Sequence, residues 1–300
     1  MYHLKGKPTI DGAGVKLYRV FGGTELAQLL DPFLLLDHFG SRYPHEYLMG
    51  FPWHPHRGIE TVTYLIKGEV HHADSTGTRG ILKNGDVQWM TAGSGIFHEE
   101  MPKSGKIKQG NSEIEDPEVN GLQLWVNLPK DYKMIQPKYR NIDHRNIPIV
   151  TLDDGTIVKL IAGGSIKAPG YGIVEGPVND LTVPVVYLDV YMRECSEFIY
   201  RVRDGYTTFA YVMEGSAIFD QANNTVNDKE LVVYSREGAE VHVRTNDKPV
   251  RFLLLSGKPI GDPIAWYGPI VMNTWDEILK AFEELKRGTF VKHQPTVRDL

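Results

Sequence analysis

Apolar residues along this chain fall in short runs or in alternation with polar residues, and turn residues separate these segments. Many short strands at regular spacing are typical of a β-sandwich or β-barrel. The 30 glycines and 18 prolines agree with frequent turns. The pattern therefore predicts an all-β chain, with strands at 61–66, 86–90, 121–126, 185–190, 209–213, 231–234 and 251–255.

One segment near the end of the chain has clear helical periodicity. Thr274 and Glu277 have the spacing of a capping box, and Gly288 stands where a helix would stop. Between these signals lies an apolar stripe formed by Ile278, Leu279, Phe282 and Leu285. We expect a helix here that packs on a barrel and carries no chemistry.

The length of 300 residues favours two domains of about 150 residues each. A polar, proline-containing stretch at 129–148 marks the expected connection. We predict an N-terminal domain at 1–131, a linker at 132–147 and a C-terminal domain at 148–300 that includes the helix. The segments TYLIKGE at 63–69 and AYVMEGS at 210–216 echo each other, which supports two similar halves.

The charge balance and the single cysteine exclude several classes of protein. With 33 Lys plus Arg and 38 Asp plus Glu, the net charge of −5 does not favour direct binding of nucleic acid. The first apolar run, at 33–36, is too short for a membrane span, and we expect a cytoplasmic protein. Cys195 alone cannot form an intrachain disulfide or a thiolate zinc site, so a metal would need histidine and carboxylate ligands.

Two pairs of residues with the same spacing stand out among the 11 histidines: His54 with His56, and His98 with Glu100. Residues two apart on a β-strand point to the same face, so two neighbouring strands can bring these four side chains together. Three imidazoles and a carboxylate suit one divalent ion, whether Fe, Mn, Ni, Cu or Zn. A six-coordinate ion would keep two positions for substrate and for dioxygen or water.

The other histidines and acids near these pairs receive more ordinary interpretations. Glu60 shares the strand parity of His56, but Gly58 separates them, so we expect a supporting or turn role for Glu60. His38 is interpreted as a packed turn residue. Aromatic residues around the pairs form barrel core or line a site for a planar substrate: Phe51, Trp53, Tyr64, Trp89 and Phe97. We expect six other histidines at the surface: His3, His45, His71, His72, His144 and His293.

Four segments of the chain resemble the pirin family. They are DPFLLLDHFG at 31–40, HPHRGIETVTYL at 54–65, GDVQWMTAGSGIFHEEMP at 85–102 and SGKPIGDPIAWYGPIVMNT at 256–274. The resemblance implies two tandem cupin barrels (double-stranded β-helix or jelly-roll) and a mononuclear iron, most simply Fe(II), held by His54, His56, His98 and Glu100. Arg201 and Arg203 align with His54 and His56 in the second half, which implies a metal-free second barrel.

Two functions follow from the resemblance. The first is oxidation of a flavonol or a similar planar enol by O₂, as in quercetin 2,3-dioxygenases, with the metal lowering the pKa of the 3-hydroxyl and Glu100 as proton acceptor. The second is a non-catalytic, redox-sensing transcriptional co-regulator that binds a protein partner, and that would also enter the nucleus of a eukaryote. A degenerate cupin that only binds metal is the third alternative. We expect a monomer in each case.

Overall fold

The computed structural model describes residues 1–75, 77–109, 112–220, 222–293 and 296–299. Almost all regular structure is β-strand, and the all-β prediction is confirmed. The predicted helix is also present, with both halves of the Thr274–Glu277 capping box formed and Gly288 in the left-handed conformation at its end. No helix in these ranges is long and apolar enough to cross a membrane.

The chain forms two compact units, each built from separate segments. The N-terminal unit contains Lys7–Gln28, Phe33–His144 and Ile260–Leu300. The C-terminal unit contains Met1–Gly6, Leu29–Pro32 and Arg145–Pro259. The first six residues therefore belong to the C-terminal unit, and the segment that starts at Ile260 belongs to the N-terminal unit.

The N-terminal unit has an eight-stranded sheet, ordered β2-β3-β4-β13-β6-β9-β14-β28, and a four-stranded sheet, ordered β5-β10-β7-β8. All pairings in these sheets are antiparallel except β14 with β28. The strands and helices of this unit are β2 Lys7–Asp11, β3 Val15–Gly22, α1 Thr24–Ala27, β4 Phe33–Ser41, β5 Phe51–His56, β6 Ile59–Lys67, β7 Glu69–Asp74, β8 Arg79–Leu82, β9 Val87–Thr91, β10 Ile96–Lys103, β11 Gly105–Gln109, β12 Ser112–Asp116, β13 Val119–Asn127, β14 Lys138–Ile142, β26 Ala265–Tyr267, β27 Ile270–Met272, α2 Trp275–Arg287 and β28 Thr296–Asp299.

The main sheet of the C-terminal unit has the order β1-β23-β21-β25-β19-β16-β15, and β20 pairs with β24. An apolar core of valine, leucine and phenylalanine side chains fills its interior. Its strands are β1 Tyr2–Lys5, β15 Ile149–Thr151, β16 Ile157–Ala162, β17 Ser165–Ala168, β18 Gly172–Glu175, β19 Val185–Met192, β20 Glu197–Arg201, β21 Thr207–Ile218, β22 Thr225–Asn227, β23 Glu230–Val233, β24 Glu240–Arg244 and β25 Val250–Gly257.

This organisation differs from the linear domain boundaries expected from the sequence. The expected linker at 132–147 contains β14, which pairs with β9 and extends the large sheet of the N-terminal unit. Helix α2 belongs to the N-terminal unit because its buried residues Ile278 and Ala281 pack in one cluster with Phe290 and, from β10, Phe97. The first strand, β1, instead pairs with β23 of the C-terminal unit.

Candidate metal centre

The two spaced pairs lie on adjacent antiparallel strands of the N-terminal unit. His54 and His56 end β5, and His98 and Glu100 are on β10, with His98 directly opposite His54. The three histidines offer ligand atoms that all lie within 4.8 Å of one another. Their ring centroids are 4.4 to 5.0 Å apart. The sequence spacing and the strand pairing thus bring three imidazoles to one point.

Backbone carbonyls orient two of these imidazoles. Nδ1 of His54 lies 2.8 Å from the carbonyl oxygen of Pro52, and Nδ1 of His56 lies 3.2 Å from that of Pro269. A carbonyl oxygen can only accept, so Nδ1 of each ring carries the proton and donates it. In the neutral form of each ring Nε2 then keeps its lone pair, which is the form that a metal ion needs.

The third imidazole, His98, provides a test of whether a cation fits here. Both of its ring nitrogens are buried, and no described residue forms a hydrogen bond to either. Burial also lowers the pKa of His56 and His98 well below the usual value for histidine. Neutral, buried nitrogens without protein partners fit a bound cation, which would use these lone pairs.

Glu100 lies beside the three histidines. Its Oε2 atom is 4.0 Å from Nε2 of His98. Its Oε1 accepts a hydrogen bond of 2.7 Å from the Thr63 hydroxyl, and its Oε2 accepts one of 3.3 Å from the Gln123 amide. Burial raises the pKa of Glu100, while these two donors oppose the shift. A buried carboxylate next to three imidazoles supplies the negative charge that a divalent ion requires.

A row of polar side chains crosses the large sheet toward Glu100. In the strand register, Arg19 of β3 lies opposite Asp37 of β4, Asp37 opposite Gln123 of β13, and Gln123 opposite Thr63 of β6. Arg19 binds Asp37 through two hydrogen bonds of 2.9 and 2.8 Å. Spacing along the sequence did not reveal this row, because its members come from four different strands.

A cavity of about 1050 Å³ opens beside the histidines, and His54, His56 and Glu100 are among its lining residues. Trp125 contacts the ring of His56 edge-on at 5.0 Å, and Trp266 lies 5.9 Å from Trp125. Both tryptophans line the cavity, as do Leu17, Leu35, Phe39, Phe51 and Gln123. The cavity therefore offers aromatic and aliphatic walls next to a polar centre, which suits a planar organic molecule.

Of the five aromatic residues near the ligand pairs, Phe51 lines this cavity. Tyr64 and Trp89 are buried, and the Trp89 indole donates to Glu60 at 2.9 Å. Phe97 packs against Phe290, and Trp53 is 47% exposed. The aromatic walls come mainly from Trp125 and Trp266, which the sequence interpretation missed. Trp125 and Trp266 lie on strands that are far apart along the chain, so residue spacing in the sequence does not indicate that they are close together.

Glu60 is buried and accepts hydrogen bonds from the Trp89 indole and the Thr91 hydroxyl, at 2.9 and 2.7 Å. Neither partner is one of the expected ligand residues, so the supporting role of Glu60 stays a prediction. His38 is half-buried and bonds to Asn120 at 2.8 Å. The exposed positions predicted for four histidines are also found: His3, His45, His144 and His293.

The surface position expected for His72 is wrong. This side chain is 5% exposed, and its ring stacks on that of Tyr139. In the strand register His72 lies opposite Glu100, so both side chains face the interior of the unit. Gly80 leaves the space for the imidazole, because a Cβ at this position would come within 2.3 Å of Nε2. His71 points the other way and bonds to Glu69.

Arg201 and Arg203, which align with His54 and His56 in the sequence, lie in or next to strand β20 of the C-terminal unit. On the paired strands β20 and β24, Tyr200 and Val241 lie opposite each other and are buried, and Arg201 lies opposite Glu240. Arg201 and Arg203 are exposed. The metal-free second barrel implied by the resemblance stays a prediction.

Two family models match the chain. The Pirin model matches residues 14–126, and the model of the pirin C-terminal cupin domain matches residues 187–291. This chain belongs to the pirin family. A pirin-like protein of Caulobacter vibrioides is 40% identical over 287 residues, which are 96% of this chain and 97% of that protein. The family assignment and the two cupin barrels expected from the resemblance are confirmed.

Two further relatives carry enzyme names. A Thermoplasma acidophilum protein provisionally named a quercetin 2,3-dioxygenase is 42% identical over 262 residues, 86% of this chain and 99% of its own length. A crystal structure of quercetin 2,3-dioxygenase from Acinetobacter baumannii has a TM-score of 0.84 and 34% identity, covering 97% of this chain and 98% of that one. A nickel(II)-bound pirin from Escherichia coli, at 15% identity and a TM-score of 0.63, shares the fold.

Proposed function

We propose that this pirin is a metal-dependent dioxygenase that oxidises a flavonol, or a similar planar enol, with O₂ in the manner of quercetin 2,3-dioxygenases. His54, His56, His98 and Glu100 would hold the ion, and Fe(II) is the ion that we propose. The observation that carries the proposal is the convergence of three imidazoles next to a large cavity with aromatic walls. The similarity to the Acinetobacter baumannii enzyme supports it.

The chain's own groups have distinct tasks in this reaction. Trp125 and Trp266 provide flat apolar surfaces against which the rings of a flavonol pack beside the histidines. The burial that raises the pKa of Glu100 makes this carboxylate a better proton acceptor for the enol hydroxyl. When bound, the ion would supply Lewis acidity toward the enol oxygen and redox chemistry toward dioxygen. Thr63 and Gln123 keep the Glu100 carboxylate oriented toward the histidines.

A second candidate is the metal-dependent co-regulator that binds a protein partner. One observation favours it: the segment that leads into His54 exposes Tyr43, Leu48, Met49 and Trp53, by 46 to 64%. Large exposed apolar side chains near one another in sequence are typical of protein-contact surfaces. The net charge of −5 agrees with a protein partner better than with nucleic acid.

An oxygen-electrode assay separates the two candidates. Protein reconstituted with Fe(II) is mixed with quercetin, and O₂ uptake is compared with the loss of quercetin absorbance. The enzyme proposal predicts matched consumption of both, at a rate that falls with metal content in the His56→Ala variant and is kept in His71→Ala. Full metal occupancy without consumption of quercetin would reject this substrate class and favour the co-regulator.

A further inference from the structure

The C-terminal unit contains a cavity of its own, of about 560 Å³. Val202, Phe219 and Val241 provide apolar wall, and Thr208, Asp220 and Tyr234 provide polar groups. The volume lies within the range of pockets that bind small organic molecules. We propose that this cavity binds a small uncharged molecule with an apolar body and a hydroxyl group, such as a phenol or an alcohol.

The hydroxyl of Tyr234 is the main reason for proposing a ligand. Its oxygen is buried, and no described residue forms a hydrogen bond to it. Buried polar groups in folded proteins nearly always have a partner, so an unpaired one that lines a cavity points to a ligand. Burial and the nearby Asp220 carboxylate both raise the pKa of Tyr234, which keeps its proton available for donation.

Asp220 provides the second polar contact to the proposed ligand, as a hydrogen-bond acceptor. Its two carboxylate oxygens accept hydrogen bonds of 3.1 and 3.0 Å from the backbone and side chain of Asn224, and these donors lower its pKa. The ionised carboxylate lies close enough to Tyr234 to act on its pKa, and both side chains line the cavity. A ligand hydroxyl can accept from Tyr234 and donate to Asp220, which is a pairing that neither an ether nor a carboxylate can make.

The charges around the cavity favour a neutral ligand. Its lining includes the acidic residues Glu197, Asp220, Glu237 and Glu240, together with Arg203 and Arg244. Two of these groups already have hydrogen-bond partners in the protein: Glu240 binds His242 at 3.2 Å, and Arg244 binds Asn223 at 2.6 Å. The acidic groups repel an anion, and the two arginines repel a cation. The apolar wall then favours an aromatic or aliphatic body over a sugar-like one.

Methyl NMR of the full-length protein, with labelled valine methyl groups, tests this proposal. The probes are phenol, toluene and benzoate, and the signals of Val202 and Val241 report on this cavity. We expect saturable shifts with phenol, at an affinity about fivefold higher than for toluene, since one hydrogen-bonded hydroxyl distinguishes the two probes. Benzoate should bind most weakly.

The Tyr234→Phe variant should lose the preference for phenol over toluene. Tyr191→Phe is the matched control, because Tyr191 is 38% exposed in the same unit and lies outside the cavity lining. If Tyr234→Phe does not fold, the proposal is tested by the ranking of phenol, toluene and benzoate in the unmodified protein. Absence of saturable shifts at Val202 and Val241 would overturn the proposal, as would toluene binding as tightly as phenol or a preference that survives in Tyr234→Phe.

Discussion

Thr63 donates a hydrogen bond of 2.7 Å from its hydroxyl group to Oε1 of Glu100, and both side chains are buried. The two residues are on different strands, and Gln123 contacts both of them: it lies 2.5 Å from the Thr63 hydroxyl and 3.3 Å from Oε2 of Glu100. A carboxylate held from two sides loses little rotamer freedom when it binds a cation. Thr63 is therefore expected to contribute to metal affinity without touching the metal.

The Thr63→Val variant tests this contribution. Valine keeps the shape of threonine but removes the hydrogen bond to Glu100, so we expect the affinity for Fe(II) to fall by about tenfold. A competition titration with a chelator measures the change. Thr61→Val is the matched control, because the same substitution is made two residues earlier on β6 and Thr61 is equally buried. Equal losses in both variants would show that the Thr63 hydrogen bond has no specific role.

His56→Ala should release the metal. It removes one of the three imidazoles whose ligand atoms lie within 4.8 Å of one another. His71→Ala is the control, since His71 bonds to Glu69 on the other face of β7. Elemental analysis after gel filtration gives the metal content of both variants. Retention of metal in His56→Ala, or similar loss in both, would mean that the ligands are assigned wrongly.

Period-two spacing in a strand was enough to predict the candidate centre. The spacings of His54 with His56 and of His98 with Glu100 place each pair on one strand face, and the register of β5 with β10 brings the faces together. Adjacent residues such as His71 and His72 carry no such information, because the sequence does not show which of the two faces inward. The position of His72 depends on its register opposite Glu100 and on the space left by Gly80.

Long-range packing explains what the sequence could not show about the fold. The apolar stripe of α2 predicts a buried face but not its partner, and that partner includes Phe97, far away along the chain. In the second half of the chain, the sequence likewise does not show which face of a strand is buried. The sequence did not show that Tyr200 and Val241 are the buried pair of strands β20 and β24, because the spacing along one strand does not give the face that is buried. A shift of one residue exchanges the two faces of a strand.

Acid should destabilise the protein through His72. Burial lowers the pKa of His72 from 6.5 to about 4, so the unfolded chain binds a proton at this residue before the folded chain does. The free energy of unfolding then falls as the pH decreases from about 6.5 to about 4, by up to about 3 kcal/mol from this residue. Urea unfolding of metal-free protein between pH 7 and 4 should show a shallower decline for His72→Gln. An identical decline for both proteins would exclude this contribution.

Glu100→Gln separates binding from proton transfer. The substitution keeps the shape of the side chain but removes a charge and a base, so the metal should bind more weakly while the histidines still hold some of it. Quercetin turnover per bound metal should fall by about 10²- to 10⁴-fold, the usual contribution of a general base. Unchanged turnover per metal would leave Glu100 as a ligand at most. The proton acceptor would then be Glu99, Glu60 or bulk water.

The most direct test of the proposed function is an anaerobic titration of metal-free protein with Fe(II), followed by measurement of quercetin turnover in O₂ at each step. His54, His56 and His98 converge in the N-terminal unit, and among the described residues of the C-terminal unit no cluster of this kind occurs. We therefore predict that turnover rises in proportion to bound iron and reaches a plateau at one ion per chain. A plateau at two ions, or no turnover at full occupancy, would contradict the account.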